Sequence, residues 1–461
     1  AFDLSGLSQG RAAIALVSAG VPPSSGCEAS ERVEAWGEWF LAADRTDPIE
    51  RLEQQNRSRL PWLIAERHRR MAANPFAWFR GSAAQMASDL AGLPSSAHQV
   101  QLCGDAHLLN FGFYASPERS LVFDINDFDE TAPGPFEWDV KRLLVSVVLV
   151  ARQLKLELSD QERLARKVAG GYRKAMARFA AMPTLKLWNT LLHVERFVAE
   201  LPASAFRRDL ECAMELAQRR TGRQAVRKLC EFHPDGSALI RHEPPLIWRH
   251  RLVDQAWMAH PDHDHAIAVL MAGYRASLPA HRRHLLSRFT VVDTAFKAVG
   301  VGSVGTRCAI GLLKGPHPDD WLLLQSKEAL PLPGQADQHQ GQRVVEGQRL
   351  MQCVSDPFLG WTSTPRGIQL YWRQLRDWKA AIGLEAIQPD SLKAYGRLCA
   401  SVLARAHARS GDPERLSAAL GEDKRFERAL AGFALAYADQ VERDHGALLQ
   451  AMASGRLTSS G

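Results

Sequence analysis

The segments LCGDAHLLN, at residues 102–110, and LVFDINDFDE, at residues 121–130, decide how this chain is interpreted. Each segment is a short apolar run that ends in acidic or amide residues, a pattern that predicts a β-strand followed by a polar loop. The side chains that the two segments supply are Asp105, His107, Asn110, Asp124, Asp127 and Asp129. We expect these side chains to meet in one active site.

This collection of residue types is what phosphoryl transfer from a nucleotide requires. A carboxylate orients the attacking hydroxyl group and accepts its proton, and we assign this role to Asp105. An amide oxygen and a second carboxylate hold the Mg2+ that bridges the phosphates, and the candidates are Asn110 with Asp127 or Asp124. The alternative is that these residues only cap turns, but turns rarely collect four carboxylates, a histidine and an asparagine within 25 residues.

A glycine-rich turn occurs much later in the chain, between two apolar runs. Its sequence is GVGSVG, with Gly300, Gly302, Ser303 and Gly305 as candidate phosphate-binding residues. Glycines let the backbone approach phosphates closely and offer its N–H groups to them. A dinucleotide-binding fold would need a helix directly after this turn, whereas the following CAIGLL predicts a strand. The pattern therefore favours the glycine loop of a kinase.

Lys327 lies in the apolar run WLLLQSKEAL, which predicts a third strand after the glycine turn. A lysine among apolar neighbours is costly unless an anion pairs with it. Glu346, on a short helix predicted over residues 344–353, is a candidate partner. In this interpretation Lys327 reaches the nucleotide phosphates and Glu346 positions it. The alternative is an outward-facing lysine on an edge strand.

The loop at residues 104–110 resembles the catalytic loop of aminoglycoside phosphotransferases and choline kinases, HGDLHxxN followed by IDFE. It also resembles the DxHxKNF loop of HipA-type kinases. The resemblance implies ATP and Mg2+ as cofactors, Asp127 as the more favoured metal ligand, and a bracing role for His107. GPFEWDVKRL resembles the GDPxxDLA segment of those kinases, which implies that Asp139 supports the catalytic loop from below. Cys103 departs from the pattern, because many of those kinases have histidine there.

A second resemblance covers residues 46–455, nearly the whole chain. Its segments are DPIERLEQQNRSRLP, NPFAWFRG, LCGDAHLLNFG, NDFDE, VGVGSVGTR, YWRQLRD and LARAHARSGD. Together they resemble a bacterial family defined as domain-of-unknown-function family 2252. That family is similar to kinase-like proteins, and the resemblance implies no particular substrate.

The order of the two motifs is the reverse of the order in ordinary kinases, where the glycine loop comes first. We therefore predict an α+β, protein-kinase-like, two-lobed fold in rearranged order, as a circular permutation would produce, with large helical additions. Permutation is physically acceptable because chain ends often lie close together on a domain surface. The expected regions are an N-terminal extension (1–45), the catalytic-loop and metal-binding part (46–160), a helical segment for the acceptor (161–285), a β-rich nucleotide-binding region (286–378) and C-terminal helices (379–461).

Composition adds weaker constraints. The longest uncharged apolar run, residues 143–151, has nine residues, too few for a membrane span of about 20. Seven scattered cysteines without a CxxC pair argue against a disulfide framework and favour a cytoplasmic location. The net charge of +6 suits a nucleotide or another anion, but no aromatic-interleaved basic stripe indicates nucleic-acid binding. The acceptor, a small molecule or a protein bearing a hydroxyl group, and the oligomeric state stay open.

Other functions fit part of the same pattern. Nucleotidyl transfer would need the same residue types. A metal-dependent phosphohydrolase would use Asp105, His107, Asp124 and Asp127, with the glycine loop merely structural. A non-catalytic nucleotide sensor would have little need for the complete set of Asp105, Asn110, Asp127 and Lys327. Two further residues are noted: Arg80 is a candidate partner for an active-site carboxylate, and His407 a candidate support for the catalytic loop.

Overall fold

The computed structural model describes residues 33–458, apart from 250–262 and the single positions 299, 301, 303, 376 and 386. The helices are α1 (Pro48–Asn56), α2 (Pro61–Met71), α3 (Pro75–Gly81), α4 (Ala83–Ala91), α5 (Glu137–Gln153), α6 (Leu158–Ala180), α7 (Thr184–Trp188), α8 (Val194–Ala199), α9 (Ala205–Arg219), α10 (Gly222–Leu229), α11 (His263–Ser277), α12 (Ala280–Leu286), α13 (Gln340–Met351), α14 (Pro389–Ser410), α15 (Pro413–Leu420) and α16 (Arg425–Ala453). The strands are β1 (Gln99–Leu102), β2 (Phe111–Ala115), β3 (Leu121–Ile125), β4 (Ala132–Pro135), β5 (Cys230–Phe232), β6 (Ala238–Ile240), β7 (Ile247–Arg249), β8 (Thr290–Lys297), β9 (Cys308–Lys314), β10 (Trp321–Glu328), β11 (Gly360–Ser363) and β12 (Gln369–Gln374).

Local sequence explains how the first helices begin. Proline stands at the first position of α1, α2 and α3, where its missing N–H and fixed φ cost nothing. The Asp47 carboxylate caps α1, and the Asn74 side chain accepts a hydrogen bond from Ala77 N at 2.8 Å at the start of α3. The Asn74 cap and Pro75 thereby fix the start of the short helix α3, which includes Arg80.

The largest hydrophobic core lies among the helices α5, α6, α14 and α16. Helix α5 is buried almost throughout because residues 143–151 are apolar except for Ser146, which donates a hydrogen bond to its own helix. Helix α14 also packs against β1, where Gln101 N donates to Ser410 Oγ at 3.1 Å. The C-terminal helices therefore complete the core around the first loop, although about 280 residues separate them in sequence.

A six-stranded antiparallel sheet has the strand order β11-β12-β10-β9-β8-β7. Side chains alternate between its two faces along β10. Leu322 and Leu324 pack with residues of α11 on one face, whereas Leu323 packs with residues of α10 on the other. Lys327 shares the face of Leu323 by this alternation, opposite Tyr371 of β12 and Cys308 of β9. The sheet thus turns the predicted phosphate-binding lysine away from α11.

Two smaller antiparallel pairs carry the acidic loops. Strand β1 pairs with β4, and β2 pairs with β3. The polar segment 103–110 joins β1 to β2, and residues 126–131 join β3 to β4. Each loop therefore connects one strand pair to the other, with β1 beside β4 and β2 beside β3 at its ends.

The α+β class is confirmed, as a molecule with many helices and small antiparallel sheets. The strands expected around residues 100, 123, 293, 310, 325 and 371 are all present. The expectation that residues 160–290 are mostly helical holds except at β5, β6 and β7, and β7 joins the large sheet. No helix in the described ranges is both long and apolar enough to cross a membrane.

Candidate active site

Asp139 anchors the loop at residues 103–110. Its Oδ2 accepts a hydrogen bond from Cys103 N at 2.8 Å, and its Oδ1 accepts one from Gly104 N at 3.0 Å. Gly104 has φ +80°, and a Cβ atom there would lie 2.2 Å from the Glu130 carbonyl oxygen. Glycine is therefore required where the two acidic loops touch. This is the supporting position that the sequence resemblance implied for Asp139.

His407 supports this anchor from the C-terminal helices. Its Nε2 lies 3.2 Å from Asp139 Oδ2, and its Nδ1 lies 2.8 Å from the Tyr172 hydroxyl oxygen. His407 and Asp139 are almost fully buried. The chain from α6 through α14 to α5 thus fixes the loop backbone, as suggested by the sequence for His407.

Asp105 lies in the cleft with its carboxylate held on one side. Arg142 Nε donates to Asp105 Oδ1 at 2.6 Å, while Arg142 Nη2 donates to the Phe79 carbonyl at 2.8 Å. The Arg142 guanidinium also stacks over the Phe79 ring at 4.1 Å from its centroid. Arg142, a buried residue of α5, therefore fixes the orientation of the candidate base. The second oxygen of Asp105, Oδ2, lies 3.5 Å from His107 Nε2.

His107 is a buried neutral imidazole beside Asp105. Burial lowers its pKa to about 4, because the attraction of Asp105 is smaller and Arg80 and Arg142 oppose a further positive charge. Its Nδ1 atom is buried and has no hydrogen-bond partner among the described residues. A neutral histidine in this position braces the loop rather than acting as a cation at pH 7.

Asn110 links the two acidic loops. Its Nδ2 donates to the Asp105 carbonyl at 3.0 Å and to the Asp127 carbonyl at 3.1 Å. Both amide hydrogens are thereby used within the protein, so Oδ1 is the atom left to act as a ligand. Asn110 itself is 3% exposed. The network therefore orients an amide oxygen at the point where the loops meet.

Asp127 is the carboxylate that fits a cation site beside Asn110. Burial raises its pKa, but the positive charges of Lys327, Arg373 and Lys379 outweigh burial and lower the pKa to about 2. Its side chain keeps 39% of its surface exposed to the cleft. An ionised, accessible carboxylate next to an amide oxygen matches the oxygen ligands that Mg2+ prefers.

Lys327 reaches across from the large sheet to the second acidic loop. Its Nζ forms an ion pair with Asp129 Oδ2 and lies 3.6 Å from Asp127 Oδ2. The Tyr371 hydroxyl donates to Asp129 Oδ1 at 2.7 Å. The lysine side chain is 3% exposed, and the two aspartates raise its pKa despite the opposing effect of burial. The sheet and the second acidic loop are therefore joined by a charged contact, which disfavours the outward-lysine alternative.

The pairing expected between Lys327 and Glu346 needs correction. Glu346 is exposed on α13 and accepts a hydrogen bond from Gln342 at 2.6 Å. Three residues earlier on the same helix, Arg343 is buried and donates to the carbonyls of Asp129, Thr131 and Leu330. Helix α13 therefore contacts the acidic loop through an arginine, and Asp129 occupies the position beside Lys327 that we had assigned to Glu346.

Asp124 lies outside the cleft. It is completely buried, and Arg405 Nη2 donates to its two oxygens at 2.6 and 2.7 Å. The same carboxylate accepts from the backbone N–H of Ile125 at 2.9 Å. All the metal-ligand candidates except Asp124 therefore line the cleft, and this geometry assigns Asp124 to holding α14 against β3.

The glycine loop reaches the same cleft. Gly300 and Gly302 line it, while Ser303 lies outside the described residues. Gly305 has φ +89° and packs against the Arg59 side chain. A Cβ atom added at Gly305 would lie 3.0 Å from Arg59 Cβ. Arg59 Nη1 donates to the Val304 carbonyl at 2.5 Å and Nη2 to the Gly302 carbonyl at 3.0 Å. Arg59, a buried residue just before α2, thus anchors the backbone of the glycine loop.

We expect Arg59→Ala to loosen the glycine loop. The change leaves two carbonyls without their charged donor, which should lower the free energy of unfolding by about 1–3 kcal/mol. Hydrogen exchange of the backbone amides at residues 298–306 should become faster. The neighbouring Arg57 is exposed, so Arg57→Ala is the matched control and should change neither quantity. Unchanged exchange in Arg59→Ala would show that the loop does not depend on this contact.

These groups enclose a cleft of about 610 Å3, including its open mouth. The lining residues are Arg80, Asp105, His107, Leu109, Asn110, Asp127, Asp129, Glu130, Gly300, Gly302, Lys327 and Arg373. Burial, together with Asp129, Asp105 and Asp127, raises the pKa of Glu130 to about 8. Three cationic and four acidic side chains face one another in the cleft, an environment suited to an anion accompanied by a metal ion.

Several of these residues have only weak signals in the sequence. Asp129 and Glu130 belong to the acidic run NDFDE, and Arg80 was noted as a candidate carboxylate partner. No role for Arg59, Arg142, Arg343 or Tyr371 follows from the sequence alone, because their contacts join distant segments. In the described part of the chain, no three His, Cys, Asp or Glu side chains are grouped so as to hold a metal ion.

Comparison with known proteins gives one match. A family described as "Uncharacterized protein conserved in bacteria (DUF2252)" matches residues 59–451 of this chain. No curated protein and no solved structure matches it.

Proposed function

The chain belongs to the bacterial DUF2252 family, and we propose that it is a magnesium- and ATP-dependent phosphotransferase with a kinase-like fold. The acceptor is a hydroxyl-bearing small molecule or protein. We also propose a cytoplasmic location, where ATP is available and where the free cysteines of the described residues would remain reduced.

The observation that carries this proposal is the meeting of two distant motifs in one cleft. Gly300 and Gly302 face the same space as Asp105, Asn110 and Asp127, although nearly 190 residues separate Asn110 from Gly300. A turn-capping role explains neither the shared cleft nor the ion pair between Lys327 and Asp129. Phosphoryl transfer needs all of these groups together, since it depends on positioning and charge stabilisation.

Each residue has a role that follows from its contacts. Asp105, oriented by Arg142, accepts the proton of the attacking hydroxyl. Asn110 Oδ1 and the Asp127 carboxylate hold Mg2+, which when bound neutralises charge on the phosphates. Lys327 contributes a fixed positive charge beside them, and the backbone of the glycine loop covers them. His107, neutral and wedged beside Asp105, braces the loop.

The kinase-like fold is supported by where the proposed functional groups lie in the structure, and not by similarity to a solved structure. The sheet β7–β12 carries the lysine and the glycine turn, and the helical part carries the catalytic loop with Asp139 beneath it. The chain enters the helical part first, passes through the sheet and returns to the helical part with α14, which packs against β1. A rearranged kinase would run in this order.

A test of the proposal is Mg2+-dependent ATP binding measured by calorimetry. We expect micromolar binding to the wild type, weakened at least tenfold by Asp127→Ala and by Lys327→Ala, since each removes a charge next to the phosphates. Asp319→Ala, an exposed aspartate outside the cleft, is the control and should bind normally. Unchanged ATP binding by Lys327→Ala, or no ATP binding by the wild type, would contradict the two-motif site and favour a phosphohydrolase.

A further inference from the structure

A second concave site lies between α6, α14 and the start of α16, and we call it the basic pocket. Its volume is about 1020 Å3 including the open mouth. The lining residues are Ser159, Glu162, Arg163, Arg166, Lys167, Gly170, Gly171, Arg173, Lys174, Arg397, Lys424 and Glu427. It shares no lining residue with the candidate active site, so its function is independent of the proposed phosphotransferase activity.

The basic pocket has a large excess of positive charge. Seven arginine and lysine side chains line it, against two glutamates. Both glutamates already have partners: Glu427 accepts from Arg173 at 2.9 Å, and Glu162 lies 3.4 Å from Arg166. The Arg173–Glu427 pair is largely buried, with 14% and 7% of the side chains exposed, and it contributes no net charge to the pocket. The remaining field is strongly positive.

Four of the lining cations have neither a hydrogen bond nor an ion pair among the described residues. They are Lys167, Lys174, Arg397 and Lys424. Of the nearby acidic residues, Asp160 pairs with the lining residue Arg163, and Asp423 pairs with Arg425 outside the lining. A set of converging cations repels itself, and a bound anion removes that repulsion.

The glycine pair in α6 brings these cations together. A Cβ atom at Gly170 would lie 3.1 Å from Glu427 Oε1, and one at Gly171 would lie 3.3 Å from Arg397 Cγ. Two adjacent glycines inside a helix cost about 1 kcal/mol each in helix propensity. They let α14 and α16 approach α6 closely, so charges from three helices converge on one concave site instead of spreading over a convex helix face.

We propose that the basic pocket binds a compact, multiply phosphorylated anion. Charges that converge on a pocket suit a small ligand with several negative groups. The lining contains no aromatic side chain, so it lacks the aromatic rings on which successive bases of a single-stranded nucleic acid stack. The favoured ligand is therefore a non-aromatic polyphosphorylated molecule or inorganic polyphosphate rather than a nucleic acid.

The probe is inorganic tripolyphosphate, titrated by calorimetry into the full chain without Mg2+ at low salt. We expect binding with a Kd below about 100 μM that weakens as salt is added, because exposed charges are screened. The test variant combines Lys167→Gln, Lys174→Gln and Lys424→Gln, three exposed residues whose replacement should leave the fold intact. It should bind at least tenfold more weakly. The matched control combines Lys186→Gln, Arg227→Gln and Lys228→Gln, which removes the same charge outside the pocket and should change Kd less than threefold.

A third variant, Lys327→Met, distinguishes binding in the basic pocket from binding in the candidate active site. Lys327→Met should bind tripolyphosphate like the wild type, and its failure to bind would place the probe in the candidate active site and overturn the proposal. Equal weakening in the two triple variants would also overturn it, since only total charge would then matter. Tighter binding of a single-stranded RNA oligonucleotide than of tripolyphosphate would assign the surface to nucleic acid instead. Circular dichroism and the thermal midpoint verify that each variant is folded.

Discussion

Asp105→Asn is expected to reduce phosphoryl transfer by about 100- to 10,000-fold, the range that a positioned general base contributes. Asparagine keeps the shape of the side chain and an oxygen that can accept from Arg142, but it cannot accept the proton of the attacking hydroxyl. Binding of Mg2+ and ATP should stay within about threefold of the wild type, because Asp105 is not a ligand in the proposed site. The measurement is release of phosphate from ATP with water as acceptor, alongside calorimetry on the same preparation.

The control for this prediction is Asp319→Asn, an aspartate on the surface that pairs with Arg223. It should hydrolyse ATP at the wild-type rate and so reveal any contaminating activity. Two results would contradict the assignment. Full hydrolysis by Asp105→Asn would remove Asp105 from catalysis, and loss of ATP binding would make it part of the binding site instead.

The loop at residues 103–110 was recognisable in the sequence as part of a candidate site because its polar residues are close together. A carboxylate, an imidazole and an amide within six positions leave a signature that a single segment displays, and the second acidic run follows within 25 residues. The strands around these loops were predictable for a similar reason, since their apolar runs are bounded by polar residues. The strands β7 and β11, of three and four residues, are too short to display such a pattern.

The arginines that hold the site together could not be predicted. Arg59 bonds to a loop about 245 positions later, and Arg405 bonds to a carboxylate 281 positions earlier. Nothing local distinguishes such a residue from an exposed arginine, because its partner is specified only by the fold. The error at Glu346 has the same origin. Helix α13 has few apolar residues to mark a buried face, so the sequence did not reveal that Arg343 points inward and Glu346 outward.

Arg405→Met is expected to lower the free energy of unfolding by about 3–5 kcal/mol, the usual cost of leaving one member of a buried ion pair alone. Burial alone would lower the pKa of Arg405, but the Asp124 carboxylate outweighs it and raises the pKa. Asp124 is completely buried, so without Arg405 its carboxylate loses the guanidinium to which it is hydrogen-bonded. Urea denaturation provides the measurement. The matched control is Arg152→Met, whose partners Asp439 and Glu442 are 55% and 43% exposed, and it should cost less than about 1 kcal/mol.

The double variant Arg405→Met/Asp124→Asn tests what Asp124 does. Asparagine removes the stranded charge and keeps an oxygen for Ile125 N, so more than half of the lost stability should return. The single variant Asp124→Asn should then bind Mg2+ and ATP within about threefold of the wild type, unlike Asp127→Ala. Loss of the Mg2+ dependence in Asp124→Asn would instead make Asp124 a metal ligand. Because the two aspartates lie on one strand end, three residues apart, this comparison decides whether the carboxylate that holds α14 and the carboxylate that holds the metal are separate groups.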